Sequence, residues 1–198
     1  MAVQKSCQKL KKAFLSLFLT TEAEKIRVAD ILESSGVSKA TFYAHYENLD
    51  QLALDVIDTL FRELDDTIEK QHQKDTPAQS DFVLLSEWVT KNQALLAGFC
   101  RTPYRAYLRS SLYDYLSSII LYHQKLLSGN LEYPPEQSRF FANAYIGGVF
   151  DGLDHHDEDW IRKNAELLET AVQHCSEADL SADKRFYPFR NTSRQCLY

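Results

Sequence analysis

From position 48 to position 71 the chain contains no glycine and no proline, and Leu52, Val56, Leu60 and Leu64 recur every four residues. Ile57 and Phe61 broaden that row. Such spacing lays one apolar stripe along a helix, whereas a half-buried strand would alternate every second residue. Only 6 glycines and 5 prolines occur in 198 residues, and they fall between long uninterrupted stretches. Scarce punctuation of this kind predicts an all-α chain rather than many short strands.

The same pattern predicts seven further helices. The first covers 4–20, with Leu10, Phe14, Leu17 and Phe18 on one side. A short second one holds Val28, Ile31 and Leu32 and stops at Ser34-Ser35-Gly36, where glycine suits a left-handed cap. The third runs from Lys39 to Tyr46, with Ser38 able to cap its free N–H groups. The fourth is the 48–71 stretch. A fifth begins around Phe82, Leu85 and Val89 and ends near Phe99. Pro103 opens a sixth, Pro135 suits the first turn of a seventh (136–153), and Asp157 or Glu158 opens an eighth. HQKDTPAQS and SGNLEYPPEQ read as loops, and from Ser176 to the end the repeat is lost, as in a loosely held tail.

Charge is distributed unevenly. The net charge is −6, yet residues 1–50 hold seven basic groups against six acidic ones, and the remainder holds 15 against 22. Phosphate attraction is local at physiological salt, so the acidic total does not describe what the first fifty residues bind. The start, MAVQKSCQKLKKAF, lacks a small-residue cleavage site after an apolar run and reads as an amphipathic helix, and no run is long enough to span a bilayer. Cys7, Cys100, Cys175 and Cys196 form no C-x-x-C pair, so idle thiols in a reducing cytoplasm are expected. No G-x-S-x-G elbow and no phosphate-binding glycine loop occurs, which gives no support to an enzyme and calls for no cofactor. His155, His156, Asp157 and Asp159 have metal-ligating chemistry, but adjacent histidines diverge and no i, i+4 pair supports them, so a polar turn is expected.

Two short helices joined by a tight glycine turn, with a third in support, form a helix-turn-helix pattern. Its second helix, KATFYAHY, is the one that enters a major groove, the groove that admits a helix and displays a unique code. Lys39, Thr41, Tyr43 and His45 fall on its outer side, and Val37, Phe42 and Tyr46 on its inner side. For His45, packing or capping is the other reading.

The stretch IRVADILESSGVSKATFYAHYENLDQL resembles the DNA-binding module of TetR-type transcriptional regulators. The resemblance covers about fifty residues and rests on Ile31, Gly36-Val37-Ser38, Thr41, Tyr43, His45 and the entry of Leu52 into a long helix. It implies a helix-turn-helix domain over 1–48, a linking helix over about 49–71, and a helical effector-binding and dimerisation domain within 49–175. It also implies a homodimer on a double-stranded DNA operator, responding to a small-molecule effector of unknown identity. The implied DNA surface comprises Arg27, Ser38, Lys39, Ala40, Thr41, Tyr43 and His45, with the N–H groups near Asn48 to Asp50 meeting a phosphate.

The chain departs from the family at Arg27, where Thr is common, and at Ala40, where Gly is common. Ala44, Glu47 and Leu49 occupy positions that are often basic. Fewer cations predict a modest salt dependence, and they keep open a reading in which the protein acts mainly through a protein partner.

Two further sets are implied for the larger domain. Trp88, Phe99, Tyr104, Tyr107, Phe141 and Tyr145 offer the apolar walls and scattered hydroxyls of a ligand pocket, or else plain core. The Gly147-Gly148 pair allows close helix approach, either at a dimer interface or internally, and Ile161, Leu168 and Val172 give a second helix for a self-complementary face.

Overall fold

A computed structural model describes residues 2–72, 81–128 and 135–174, with side chains over 4–71, 81–120 and 139–170. The tail 176–198, the loop cores expected after His72 and after Ser128, and Cys175 and Cys196 lie outside the described residues. Every regular element among the described residues is helical: α1 (Ala2–Thr20), α2 (Val28–Ser35), α3 (Lys39–His45), α4 (Leu49–His72), α5 (Asp81–Lys91), α6 (Gln93–Cys100), α7 (Arg105–Ser128), α8 (Pro135–His155) and α9 (Glu158–His174). A single 3-10 turn, Ala23–Lys25, joins α1 to α2. No helix among these is long and apolar enough to cross a membrane.

Two expectations need correction. The helix expected from Phe82 to Phe99 is two helices, α5 and α6, separated at Asn92. The Asn92 side chain donates to the Trp88 carbonyl at 2.9 Å, and its backbone (φ −101°, ψ 13°) leaves the helical path. A short amide side chain that satisfies a helix-end carbonyl ends the helix, and the apolar repeat continues across the bend without registering it. Pro103 lies in a turn, and α7 starts at Arg105; Thr102 accepts the Arg105 N–H at 3.1 Å through its carbonyl and the Tyr104 N–H at 3.3 Å through its hydroxyl. α9 opens as expected, with Asp157 Oδ1 accepting the Trp160 N–H at 2.8 Å.

One apolar core runs through both ends of the molecule. α4 supplies its axis: Leu52, Val56, Ile57, Leu60, Phe61 and Leu64 are all buried. Burying such a side chain stabilises by roughly 1.5–3 kcal/mol, so this row fixes α4 against both the N-terminal helices and the larger bundle. α1 reaches the bundle through three stacked rings, Phe14, Phe18 and Phe99, with Phe18 and Phe99 4.4 Å apart. Gly98 makes that approach possible, since a Cβ there would lie 2.8 Å from the Phe18 ring. At the far end α9 packs against both α5 and α8.

Candidate nucleic-acid interface

Local chemistry sets the helix-turn-helix. Gly36 adopts φ 65°, a left-handed conformation that a residue without Cβ enters freely, and its N–H closes α2 on the Leu32 carbonyl at 3.0 Å. Ser38 then caps α3: its Oγ accepts the Thr41 N–H at 3.1 Å and pairs with the Thr41 hydroxyl at 2.8 Å. Ile31 and Phe42 are fully buried, and α2 and α3 both pack against α1.

Seen from outside, α3 presents Ser38, Lys39, Ala40, Tyr43 and Ala44. Tyr43 is 51% exposed, unusual for a large aromatic side chain, and rests edge-on against Phe42 with centroids 5.3 Å apart. Thr41 and His45 are half-buried. His45 Nδ1 is enclosed with no hydrogen-bond partner among the described residues, so this ring faces partly inward. Arg27 is exposed, but its guanidinium folds back to donate to the carbonyls of Glu24 and Ile26, the latter at 3.2 Å. Asp30 accepts the Arg27 N–H at 2.7 Å, which caps α2 from one side only, because an arginine side chain has no acceptor to offer in return.

At the start of α4 the amides that flank the expected anion-facing set are taken. Asn48 Oδ1 accepts the Gln51 N–H at 2.9 Å, and Gln51 Oε1 accepts the Glu47 N–H at 2.7 Å. Among the described residues, the N–H groups of Asn48, Leu49 and Asp50 carry no hydrogen bond within the chain. These three amides remain for an anion.

The recognition helix is tied to α4 by a polar knot that the apolar pattern does not reveal. The Asp55 carboxylate accepts from Tyr46 at 2.7 Å, from Lys11 at 2.7 Å and from Arg62 at 3.2 Å. Cys7 Sγ lies 2.9 Å from the Tyr46 hydroxyl. Burial, together with the Cys7 and Asp55 contacts, pushes the Tyr46 phenol far above its ordinary range, so it stays protonated and donates. Two more ties hold the linking helix, one to the α6–α7 turn and one to α7: Tyr104 donates to Asp50 at 2.6 Å, and Tyr107 to Asp58 at 2.8 Å. The available signal was a set of carboxylates on α4; their partners lie up to 54 residues away and leave no spacing to read.

The six residues expected to line a pocket are placed as follows among the described residues. Trp88 packs on Phe61 at 5.4 Å, Phe99 belongs to the ring stack with α1, and Tyr145 is buried in the bundle. Phe141 is half-buried against the core, and Tyr107 is held by Asp58. Of the six, only Tyr104 lines a described cavity, a cleft of about 600 Å³ between the 3-10 turn and the α6–α7 turn. A groove of about 360 Å³ lies between α5 and the start of α9, and one of about 270 Å³ beside Lys9, Lys12, Ser34 and Ser35.

Several side chains expected at a dimer interface are used within the chain. Ile161 and Leu168 are buried, so they have no surface left for a partner. Gly148 meets Asn164, whose amide donates to the Tyr145 carbonyl at 2.6 Å, which makes this glycine part of the internal α8–α9 pairing. Gly147 does face open space, and the side chain of Val172 lies outside the described residues. The turn after α8 sends its histidines apart: His155 contacts the Asp151 carbonyl at 2.8 Å, while His156, at φ 56°, reaches Arg101 at 2.9 Å.

No family model and no curated protein sequence matches the chain. Solved structures do. The dihydroxyacetone kinase operon activator DhaS superposes with a TM-score of 0.65 at 16% identity, covering 87% of this chain and 98% of that one. A protein of Syntrophomonas wolfei assigned to the TetR family gives 0.65 and 16%, covering 86% and 96%. The TetR transcriptional regulator of Streptococcus agalactiae gives 0.57 and 21%, covering 84% and 95%. The chain thus has, over most of its length, the all-α fold of TetR-type regulators, with the helix-turn-helix at its N-terminal end.

Proposed function

We propose that the protein is a transcriptional regulator that binds double-stranded DNA as a homodimer, with α3 in the major groove. One observation carries this reading. On α3 a lysine and a half-exposed tyrosine stand beside two small residues, Ala40 and Ala44, on a helix that the Ser38 cap and buried Phe42 hold rigid. A prominent aromatic of this kind on a seven-residue helix contributes little to the core and suits a phosphate or a base edge. The glycine turn and the capped start of α3 fix its angle to α2, as groove entry requires.

The dimer face proposed is the exposed apolar set on α8 and α9: Phe140 (68% exposed), Gly147, Trp160 and Leu167 (57% exposed). An exposed apolar set of this kind is a liability unless a partner covers it. An effector, where one acts, has to favour one spacing of the two recognition helices over the other. The ties Tyr104–Asp50 and Tyr107–Asp58 and the Phe18–Phe99 stack would carry that change to α4 and α1.

Footprinting on the DNA upstream of the protein's own gene tests the reading. Two protected half-sites about one helical turn (roughly 10 bp) apart, or a multiple of it, are expected. Uniform weak protection would remove the homodimeric helix-turn-helix reading. Glu47, exposed at the end of the helix-turn-helix, favours the second reading, in which a protein partner supplies what the missing cations do not.

A further inference from the structure

We infer that the outer face of α1 is a second contact surface for duplex DNA, holding the phosphate backbone beside the groove that α3 enters. Lys5, Lys9, Lys12 and Ser16 are all exposed and stand at i, i+4, i+7 and i+11, so they form one stripe along α1. From Lys5 to Lys12 the stripe runs about 10 Å, at roughly 1.5 Å per residue. Its middle opens into the groove of about 270 Å³ against the C-terminal end of α2, lined by Lys9, Lys12, Ala13, Ser16, Ser34 and Ser35. The inference rests on the DNA-binding reading and adds a surface to it.

The lining selects an anion. It holds two ammonium groups and no carboxylate. Among the described residues, Lys5, Lys9 and Lys12 have no ion pair and no side-chain hydrogen bond, whereas Lys11, turned inward, is bound to Asp55 and Thr59. Glu33, exposed on α2 beside them, leaves the stripe net positive. The hydroxyls of Ser16 and Ser34 also lack a partner among the described residues. Ammonium groups and hydroxyls are donors of the kind that contact phosphate oxygens. Position selects duplex DNA among anions. Ser35 lies four residues before Lys39, hence within about 14 Å of it along the chain. α1 packs on α2 and on α3 alike. The major groove is about 12 Å wide, so a strand bordering the groove that holds α3 passes at a comparable distance. α3 itself brings one exposed lysine, Lys39, with the exposed Glu47 just beyond it. Lysines on α1 therefore add to the counterion release on which duplex binding draws.

The test is fluorescence anisotropy of the full-length protein over a salt series, on a duplex from upstream of its own gene and on a scrambled duplex. Lys9→Gln/Lys12→Gln is compared with wild type and with Lys70→Gln/Lys91→Gln, a control of equal net charge; all four positions are exposed. In Lys9→Gln/Lys12→Gln the salt slope should fall by about two units on both duplexes, because phosphates carry no sequence. Its affinity deficit should shrink about tenfold between roughly 50 and 200 mM salt. Lys9→Gln alone should lower the slope by about one unit. The control should keep the wild-type slope, and every variant the wild-type thermal transition. An unchanged slope in Lys9→Gln/Lys12→Gln, with wild type bound, overturns this inference alone and leaves the stripe to an acidic protein surface. An equal fall in the control also overturns it, since net charge rather than place would then set the slope. No binding of either duplex by wild type at low salt removes the DNA-binding reading, and this inference with it.

Discussion

Replacing Asp55 by alanine should loosen the attachment of the recognition helix to the linking helix more than any other single polar change. The carboxylate receives Lys11, Tyr46 and Arg62 within 3.2 Å, and the Lys11 and Asp55 side chains are only 13% and 18% exposed. Removing one partner of a buried ion pair costs roughly 3–5 kcal/mol, since the other charge is left without compensation. Two features reduce that figure. Lys11 keeps a hydrogen bond to Thr59 at 2.8 Å, and Arg62, more exposed, keeps one to the same hydroxyl. A loss of about 2–3 kcal/mol remains. Asp55→Asn retains an acceptor for Tyr46 and should lose about 1–2 kcal/mol, and Tyr46→Phe about 1 kcal/mol. Urea unfolding at fixed protein concentration, followed by circular dichroism, measures all three, and the Asp55→Ala/Tyr46→Phe cycle should show a coupling of about 1 kcal/mol. A loss below about 0.5 kcal/mol for Asp55→Ala would refute the reasoning and reduce the knot to a solvated surface pair.

Gly148→Ala should destabilise by about 1–2 kcal/mol, because its Cβ displaces Asn164 from the Tyr145 carbonyl; an unchanged thermal transition would contradict the α8–α9 packing. Gly147→Arg should dissociate the proposed dimer without unfolding the protomer, as read by sedimentation, and an unchanged dimer would move the interface off this face of α8. Burial raises the phenol of Tyr145, which stays neutral when folded and ionises on unfolding; its contribution to stability is therefore full below an unfolded-state pKa of about 10 and declines as pH rises beyond it. Tyr145→Phe, removing an enclosed hydroxyl with no partner among the described residues, should leave neutral-pH stability unchanged or slightly raised and flatten the alkaline decline; a loss above about 1 kcal/mol at neutral pH would mean that the hydroxyl is bonded.

What the sequence disclosed followed from local rules. Gly36, Ser38 and the four-residue rhythm of Leu52 to Leu64 act within a few residues of themselves, and the glycine turn, the cap and the burial of that row lie where those rules place them. Periodicity identifies an apolar face but not what covers it. Ile161 and Leu168 therefore suited an interface between chains equally well, and both are buried within one, where α9 packs on α5 and α8. Likewise Trp88, Phe99 and Tyr145 are aromatic at helical spacing both in a pocket wall and in a core, and their packing partners lie on other helices. The Asp55 knot and the cleft at Tyr104 each join segments far apart in the chain, at turns and side-chain tips where no repeat exists to be read.

The measurement closest to the central claim is equilibrium binding to a duplex from upstream of the protein's own gene, by fluorescence anisotropy at several salt concentrations, beside a scrambled duplex. Tighter binding to the upstream duplex by about a hundredfold or more is expected, with a salt slope that falls by about one unit in Lys39→Ala, an exposed position whose loss leaves the fold intact. Equal binding to both duplexes at low salt, with Lys39→Ala indistinguishable from wild type, would contradict it.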